Sequence, residues 1–363
     1  MAGGTPPRRR TAEVRSPDSG VEDLVDVAAL QDWMQSQGVT DGPVRLGETL
    51  GGGTQNVLIK VRTGDRDMVL RRGPRHLRPR TNDMLRREMR VLEALSGTEV
   101  PHARLIAACP DEEVLGGAVF YLMEEVDGFN PAVGLSGAAS RSLDVRRHLC
   151  LSTAAAAATL AAVDHEAVGL GDMGNPTGFL ERQVGRWRSE LVSYSSFAGY
   201  DGPDLPGVEA LGDWLDDNRP AQWRPGILHG DYHLANVLCD HRTGSVAAVV
   251  DWEMTTIGDP LLDLGWLLAT WPRGDGPEIL SDGVRALAGV VDRDDLVREY
   301  AERSTRDLSS VDWYVVLACY KLAIVQEGTY ARACAGLAPR EVGDRLHAGS
   351  LVLLARAREI TGT

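Results

Sequence analysis

Residues 229–236 read HGDYHLAN, and residues 249–253 read VVDWE. A short apolar run leads into each stretch, so each is predicted to follow a β-strand. Asp231 and Asn236 stand five positions apart on the first predicted loop. Asp251 follows the next predicted strand. These two loops decide the interpretation of the whole chain.

The three residues fit the needs of phosphoryl transfer, which requires a carboxylate near the attacking hydroxyl and oxygen ligands for magnesium. We predict that Asp231 accepts or orients the hydroxyl proton. Asn236 and Asp251 are predicted to hold Mg²⁺, because magnesium prefers hard oxygen ligands. The spacing matches the H-R-D-x-x-x-x-N and D-F-G pattern of protein kinases, written here as H-G-D and D-W-E.

Two alternatives stay open for the first loop. His229, Asp231 and His233 would share one face if they lay on a strand, and could then bind zinc. The loop could also be held by caps and core histidines without any chemistry. Neither alternative accounts for Asn236 and Asp251. We therefore predict that His229 is buried and orients the loop.

Glycine after His229 makes the motif resemble the aminoglycoside phosphotransferase and choline kinase branch. VLRRGP at 69–74, FLERQVGRW at 179–187 and KLAIVQEGTYAR at 321–332 are similar to one phosphotransferase subfamily. That subfamily is related to the N-terminal kinase domain of certain acyl-CoA dehydrogenase family members. It often has a histidine before a V-D pair, which AAVD at 161–164 lacks.

The resemblance covers roughly residues 45–345 and implies an α+β, protein-kinase-like fold with a small β-rich N-lobe and a larger helical C-lobe. It implies an enzyme that transfers the γ-phosphate of ATP to a hydroxyl of an unidentified small molecule. A catalytically inactive, nucleotide-binding pseudokinase is the alternative. Residues 1–20 are predicted to be a disordered tail, 21–126 the N-lobe and 127–363 the C-lobe with the catalytic and metal loops.

The N-lobe is expected to hold the nucleotide. Arg71 stands where a strand lysine is expected, and Glu88 is its predicted helix partner, while strand alternation directs Arg72 to the opposite face. The glycine loop would cover the phosphates and the connector would recognise adenine through its backbone. The remaining candidates for nucleotide binding are Gly51, Gly52, Gly53, Thr54, Glu124 and Val126.

Other candidates belong to the helical part. Asp259 precedes Pro260 and is predicted to cap a helix, and Asp263 to brace the catalytic loop. These two are taken as structural support, together with His229. The candidate substrate residues, for each of which helix packing is the favoured alternative, are Trp187, Tyr320, Glu327 and Tyr330.

Composition narrows the class of protein. The 363 residues favour two lobes, and a net charge of −14 disfavours nucleic acid as a partner. Apolar runs are too short for a membrane span, and five scattered cysteines without a CxxC pair suggest neither disulfides nor a zinc site. We therefore expect a cytoplasmic protein, and the family resemblance implies ATP and a small hydroxylated molecule as its partners.

Overall fold

The computed structural model describes residues 24–50, 57–64, 66–273 and 282–363. The predicted phosphate-covering residues Gly51, Gly52, Gly53 and Thr54 lie outside the described residues. The described chain forms an antiparallel sheet in its first third and a largely helical region after it.

The sheet contains five antiparallel strands in the order β1-β2-β3-β5-β4. β-branched and other apolar residues form its buried face, which packs as a separate core of the N-lobe. β2 and β3 form the predicted hairpin, with Thr63 paired to Arg66. The strands are β1 (Val44–Leu50), β2 (Val57–Thr63), β3 (Arg66–Arg72), β4 (Leu105–Cys109) and β5 (Phe120–Glu124).

Two helices accompany the sheet. Helix α1 (Val27–Ser36) begins after Asp26, whose carboxylate accepts the backbone N–H groups of Ala28 and Ala29. Helix α2 (Thr81–Leu95) has the amphipathic pattern that its sequence predicts, and it buries Glu88 among apolar residues. Since a buried carboxylate requires a partner, Glu88 marks this helix as more than a packing element.

The helical region has one large core, and its central helix α8 packs against α6 and α9. The helices are α3 (Leu143–Ala162), α4 (Gln183–Ser193), α5 (Val208–Asp217), α6 (Leu261–Thr270), α7 (Arg293–Glu302), α8 (Val311–Cys334) and α9 (Arg340–Thr361). None of the helices in the described ranges combines the length and apolar composition that crossing a bilayer requires.

Two small antiparallel ribbons carry the sequence motifs. β6 (Gly226–Leu228) pairs with β9 (Thr256–Gly258), and the HGDYHLAN stretch follows β6. β7 (Val237–Cys239) pairs with β8 (Val246–Val249), and the aspartate of the second motif comes two residues after β8. The two motifs therefore leave neighbouring ribbons, as the apolar runs before them predict.

Some elements differ from the sequence predictions. The alanine-rich sequence from Leu149 onward predicts a helix, but α3 already begins at Leu143, because the Ser142 hydroxyl accepts the Val145 N–H and caps an earlier turn. β4 escaped detection because its sequence, LIAAC, lacks the strong β-formers that identify β5. Six of the ten residues of helix α7 are charged and only Leu296 and Tyr300 are buried, so its apolar periodicity is faint.

Candidate active site

The backbone of the loop after β6 is fixed by one buried carboxylate. Asp263 Oδ2 accepts the N–H of His229 at 2.7 Å, and Asp263 Oδ1 accepts the N–H of Gly230 at 2.9 Å. Burial raises the pKa of Asp263 to about 7, although these two bonds oppose the rise. The structure thus places Asp263 directly behind the loop.

His229 is fully buried, and both of its ring nitrogens are engaged. Nε2 lies 3.0 Å from the carbonyl oxygen of Val250, and Nδ1 accepts the N–H of Asp231 at 3.3 Å. Burial lowers the pKa of His229, which keeps the ring neutral in this tautomer. Neither nitrogen is left with a free lone pair for zinc, so the described geometry does not suit the zinc alternative.

Gly230 could not be another residue without rearrangement of the loop. Its φ is +88°, and a Cβ placed on it would lie 2.6 Å from the carbonyl oxygen of Met254. Glycine adopts this left-handed conformation without a steric penalty. The difference between H-G-D here and H-R-D in protein kinases therefore has a local structural cause.

Asp231 lies at the surface of the loop, with 36% of its side chain exposed. His233 Nε2 is 3.3 Å from Oδ1, and Asn236 Nδ2 donates to Oδ2 at 3.0 Å. Burial raises the pKa of Asp231, but the hydrogen bond and charge of His233, with smaller effects of His229 and Lys321, bring it down to about 2. An ionised carboxylate is thus held ready to accept a hydrogen bond.

Asn236, which directly precedes β7, and Asp251, which follows β8, each carry a side-chain oxygen that could bind a metal. Asn236 Nδ2 also donates to the carbonyl oxygen of Asp231 at 2.8 Å, which leaves its Oδ1 available. Asp251 adopts a left-handed backbone conformation, with φ 68° and ψ 66°. One carboxylate oxygen each from Asp251, Glu88 and Glu253 lies within 4.8 Å of the other two. Such a set of hard oxygens suits magnesium.

Arg71 joins the sheet to these oxygens. Its Nη2 is 2.6 Å from Glu88 Oε1 and 3.1 Å from Asp251 Oδ1. The second oxygen of Glu88 accepts the hydroxyl of Tyr121 at 2.9 Å. Arg72 instead donates from Nε to the carbonyl oxygen of Gly73, on the other face of the strand. The structure therefore brings Arg71, not Arg72, to the candidate site.

The connector after β5 keeps the geometry that a backbone contact would need. Glu124 ends the strand, and its N–H donates to the carbonyl oxygen of Arg104 at 2.9 Å. Within the described ranges, the N–H and C=O of Val126 make no hydrogen bond. Adenine recognition by Glu124 and Val126 stays a prediction.

Asp259 lies behind the loop, in a different environment from Asp263. The helix α6 begins at Leu261, and the Asp259 carboxylate accepts the Leu261 N–H at 3.1 Å and the Tyr314 hydroxyl at 2.5 Å. Burial raises the pKa of Asp259, and the Tyr314 bond opposes that effect. Its contacts tie α6 to α8, as a structural residue would.

The four substrate candidates lie at different depths in the helical core. Trp187 is connected to the loop through Lys321, whose ammonium lies 5.6 Å from the centre of its ring and donates to the Gly230 carbonyl oxygen. Tyr320 is buried. Glu327 is fully buried between Tyr200 and His347, and the Tyr330 ring stacks on His347. A role for these four residues in binding the acceptor stays a prediction.

Sequence analysis did not single out several residues that the structure places beside the motifs. Lys321 is one of two lysines in the chain and sits in the apolar run VVLACYKLAIV, a signal that could have identified it. Glu253 belongs to the second motif but had no role assigned, and His233 was considered only as a possible zinc ligand. Tyr121 could not be found, because nothing local connects a strand tyrosine with a helix glutamate.

A cavity of about 320 Å³ opens beside Glu253 and Met254. Its lining includes the three arginines Arg87, Arg182 and Arg186. Arg87 Nη2 donates to backbone carbonyl oxygens at 3.1 Å, whereas the Arg186 guanidinium lies 5.1 Å from the centre of the Trp187 ring. This cavity adjoins the motif that carries Asp251.

The chain is similar to a known protein family and to several curated proteins. Residues 47–301 match the model of the phosphotransferase enzyme family. Human acyl-CoA dehydrogenase family member 11 is 29% identical over 296 residues, which cover 78% of this chain and 36% of the relative. The chain thus spans about a third of the length of the curated relatives it matches.

Solved structures share the fold. A putative aminoglycoside phosphotransferase from Ralstonia eutropha is 28% identical with a TM-score of 0.75, over 92% of this chain and 98% of the other. A thermostable mutant of aminoglycoside phosphotransferase APH(4)-Ia, solved with ADP and hygromycin B, is 15% identical with a TM-score of 0.54. That match covers 88% of this chain and 97% of the other.

Proposed function

Because the chain belongs to the phosphotransferase enzyme family, we propose that it is a small-molecule kinase that moves the γ-phosphate of ATP to an acceptor hydroxyl. One observation carries this proposal. Asp231 and Asn236 are hydrogen-bonded to each other on one loop. Arg71 forms ion pairs with both Glu88 and Asp251. A carboxylate, a set of hard oxygens and a phosphate-binding cation thus converge from separate parts of the chain.

Asp231 is the proposed acceptor-side group. A carboxylate with a pKa near 2 is a weak base, so we expect it to orient the hydroxyl and to take its proton late in the reaction. This suits phosphoryl transfer, in which positioning and charge stabilisation contribute more than covalent chemistry of the protein.

Asp251 and Asn236 are the residues that would hold magnesium. The fit rests on the free Oδ1 of Asn236 and on the nearby oxygens of Asp251, Glu88 and Glu253. When bound, the metal would neutralise charge that develops on the phosphate oxygens. Glu88 is already paired with Arg71, so we assign it to positioning that arginine rather than to the metal.

Arg71 is the proposed phosphate grip of the N-lobe. A guanidinium can bind phosphate with two parallel hydrogen bonds, whereas the usual lysine acts as a point charge. The bond to Glu88 fixes the side chain in the cleft. The glycine loop at 51–53 with Thr54, and the connector residues Glu124 and Val126, complete the proposed nucleotide site.

A pseudokinase is the second candidate, and one contact favours it. Arg71 lies 3.1 Å from Asp251 and so occupies an oxygen that the metal would need. If this contact persists with nucleotide present, the chain would bind ATP without transferring its phosphate.

A cytoplasmic location accompanies the proposal. All five cysteines are free, and thiols persist in a reducing compartment that also supplies ATP. The partners would be the nucleotide and a small hydroxylated molecule.

Thermal melting tests the nucleotide part first. A ligand that binds only the native state must raise the melting temperature, so Mg-ATP should raise it more than ATP with a chelator. Asp251→Asn is the matched control, since it removes a charge while asparagine tolerates the left-handed backbone. Equal shifts with and without magnesium would overturn the assignment of Asn236 and Asp251.

Transfer itself is tested with a panel of aminoglycosides, choline, sugars and hydroxy-acyl compounds. Labelled phosphate should appear on one acceptor class in the wild type and not in Asp231→Asn. Nucleotide binding without transfer to any class would favour the pseudokinase. GTP in place of ATP establishes the nucleotide preference.

A further inference from the structure

Lys321 is a buried cation that the proposed chemistry does not use. It lies in α8 among apolar residues, with 8% of its surface exposed. Its ammonium lies 4.4 Å from the centre of the Trp266 ring and 5.6 Å from that of Trp187. Two aromatic faces therefore replace part of the hydration that this charge has lost.

One polar contact directs this ammonium to the candidate active site. Lys321 Nζ donates to the carbonyl oxygen of Gly230 at 3.3 Å. Gly230 directly precedes Asp231, and its left-handed backbone conformation leaves that carbonyl facing α8 rather than a strand partner. A residue ninety positions along the chain thus reaches the peptide that carries the proposed acceptor-side carboxylate.

The backbone around Asp231 is otherwise bonded on every side. The N–H groups of His229 and Gly230 go to Asp263, and the N–H of Asp231 goes to the His229 ring. The carbonyl oxygen of Asp231 accepts from Asn236. Lys321 supplies the donor for the carbonyl of Gly230, which completes the hydrogen-bond frame of residues 230–231.

Charge gives a second reason for a cation at this place. Burial lowers the pKa of Lys321 to about 8, while the carboxylates of Asp231 and Asp263 oppose that effect and Arg186 adds to it. The ammonium of Lys321 is therefore close to two carboxylates, that of Asp231 in the loop and that of Asp263 behind it. An ionised buried carboxylate is strongly disfavoured without such a neighbour.

We propose that Lys321 is a positioning residue of the candidate active site, which holds the Gly230–Asp231 peptide in place and thereby aims the Asp231 carboxylate. The proposal rests on the proposed kinase function for its catalytic consequence. Its structural consequence, a rigid loop, can be measured independently of any transfer.

Substitution to methionine and to arginine separates positioning from packing. Lys321→Met keeps a long, apolar side chain between the two tryptophans but has no donor and no charge. Lys321→Arg keeps both but is bulkier. Positioning predicts that kcat falls by about 10- to 100-fold in the methionine variant, with the KM for ATP little changed, and is largely kept in the arginine variant.

A packing role predicts the reverse order, with methionine tolerated and arginine harmful. That order would overturn the proposal. Lys321→Gln guards against misfolding of the methionine variant, because it retains an N–H donor. If Lys321 has a positioning role, the activity of Lys321→Gln should lie between those of the methionine and arginine variants, and its melting temperature should be near that of the wild type. If both variants are folded and the glutamine variant is no more active than the methionine variant, the hydrogen bond to Gly230 does not contribute to kcat and the proposal is overturned.

Amide hydrogen exchange gives the readout that needs no substrate. Peptides covering residues 226–236 should lose protection in Lys321→Met and keep it in Lys321→Arg, while peptides of the N-lobe sheet stay unchanged. Unaltered exchange in the methionine variant would overturn the proposal even if its activity falls. If the wild type transfers phosphate to no acceptor, the kinase function fails, and the exchange pattern alone decides whether Lys321 positions the loop.

Discussion

Gly230 and Asp251 show how much single backbone conformations matter in this centre. Both residues are left-handed, and each stands within or next to a motif. Gly230 has, in addition, a backbone oxygen where a side chain would begin. Gly38 is left-handed too, but a Cβ there would meet no atom within 4 Å.

Gly230→Ala should therefore cost more than Gly38→Ala. The control carries only the conformational penalty of about 1–2 kcal/mol. The loop variant adds a close approach to Met254, so we expect a further loss of about 1–3 kcal/mol and a large loss of transfer. Urea unfolding of the two variants measures the difference. If both variants lose the same free energy of unfolding, the loop accommodates a Cβ at position 230 without a steric cost.

Glu253 should make stability depend on pH. Burial, followed by the charges of Asp251 and Glu88, raises its pKa to about 7 from 4.5. Between these values the folded chain holds a proton that the unfolded chain has released. The free energy of unfolding therefore falls as pH rises from about 4.5 through 7.

Glu253→Gln should remove that part of the pH dependence. We expect the variant to gain about 1 kcal/mol over the wild type at pH 8, after allowance for solvent screening of a half-buried group. The comparison uses unfolding curves at pH 5 and pH 8. Glu209→Gln, at a glutamate that is 78% exposed, serves as the control and should leave the difference unchanged. A Glu253→Gln difference as large as that of the wild type would contradict the assignment.

Several of these residues could be foreseen and others could not. Asp231, Asn236 and Asp251 follow a spacing within local motifs, whereas Arg71 and Glu88 were predicted from the resemblance to kinases. The structure brings Arg71, Glu88 and Asp251 together, and the roles of all five residues stay predictions. Tyr121 contacts a distant segment, and no local pattern indicates that contact. A lysine within an apolar run does single out Lys321, but it does not indicate that Gly230 is the partner.

At the scale of elements, helix α8 links the candidate site to the far side of the helical region. Lys321 faces the loop, and Glu327, less than two turns later, is fully buried against Tyr200 and His347. Sequence analysis suggested Glu327 as a substrate residue. Its bonds join α8 to α9 and to the segment before α5, so its contribution to packing can be tested separately from acceptor binding.

Tyr200→Phe should lower stability without changing acceptor affinity. It leaves Glu327 Oε1 without its 2.8 Å partner, which costs about 1–3 kcal/mol for a buried acceptor. Tyr330→Phe is the control, since its hydroxyl is 3.4 Å from Arg340 at the surface. Denaturant unfolding is measured for both variants, and the acceptor KM is measured for Tyr200→Phe alone, because Tyr330 is itself a candidate substrate residue. A raised KM with unchanged stability in Tyr200→Phe would return Glu327 to the substrate site.

Strong periodicity made some elements predictable. α2 and β5 follow from clear patterns of apolar residues, and the ribbons β6 and β8 follow from short apolar runs. β7, β9 and α7 were missed because three-residue strands and charged surface helices carry little pattern. Their positions depend on tertiary pairing, such as that of Gly226 with Gly258.

At the scale of the whole molecule, Arg71 connects the sheet with the helical region. It pairs within the N-lobe with Glu88 and across the cleft with Asp251. One side chain therefore supports both the interior of the N-lobe and the relation of the lobes. The fold class follows from the motifs and the change from strands to helices, whereas this bridge does not.

Arg71→Met should destabilise the chain more than Arg71→Lys. The methionine variant leaves Glu88 buried with only Tyr121 as partner, which costs about 3–5 kcal/mol. Lysine keeps the charge, but its side chain is shorter and its ammonium replaces the planar guanidinium, so we expect an intermediate loss. Chemical denaturation and the Mg-ATP shift are measured together. A methionine variant as stable as the wild type would mean that Glu88 is protonated in the fold.

The peptide before Asp251 has a further meaning. Val250 donates its N–H to the carbonyl oxygen of Asn236 at 2.9 Å, and its own carbonyl lies 3.0 Å from the His229 ring. These two contacts through Val250 join the two loops into one hydrogen-bonded unit, which is called the block below. Damage to any part of this block should appear as correlated defects in turnover and metal affinity. Substitutions that change one of these two properties should therefore change the other as well.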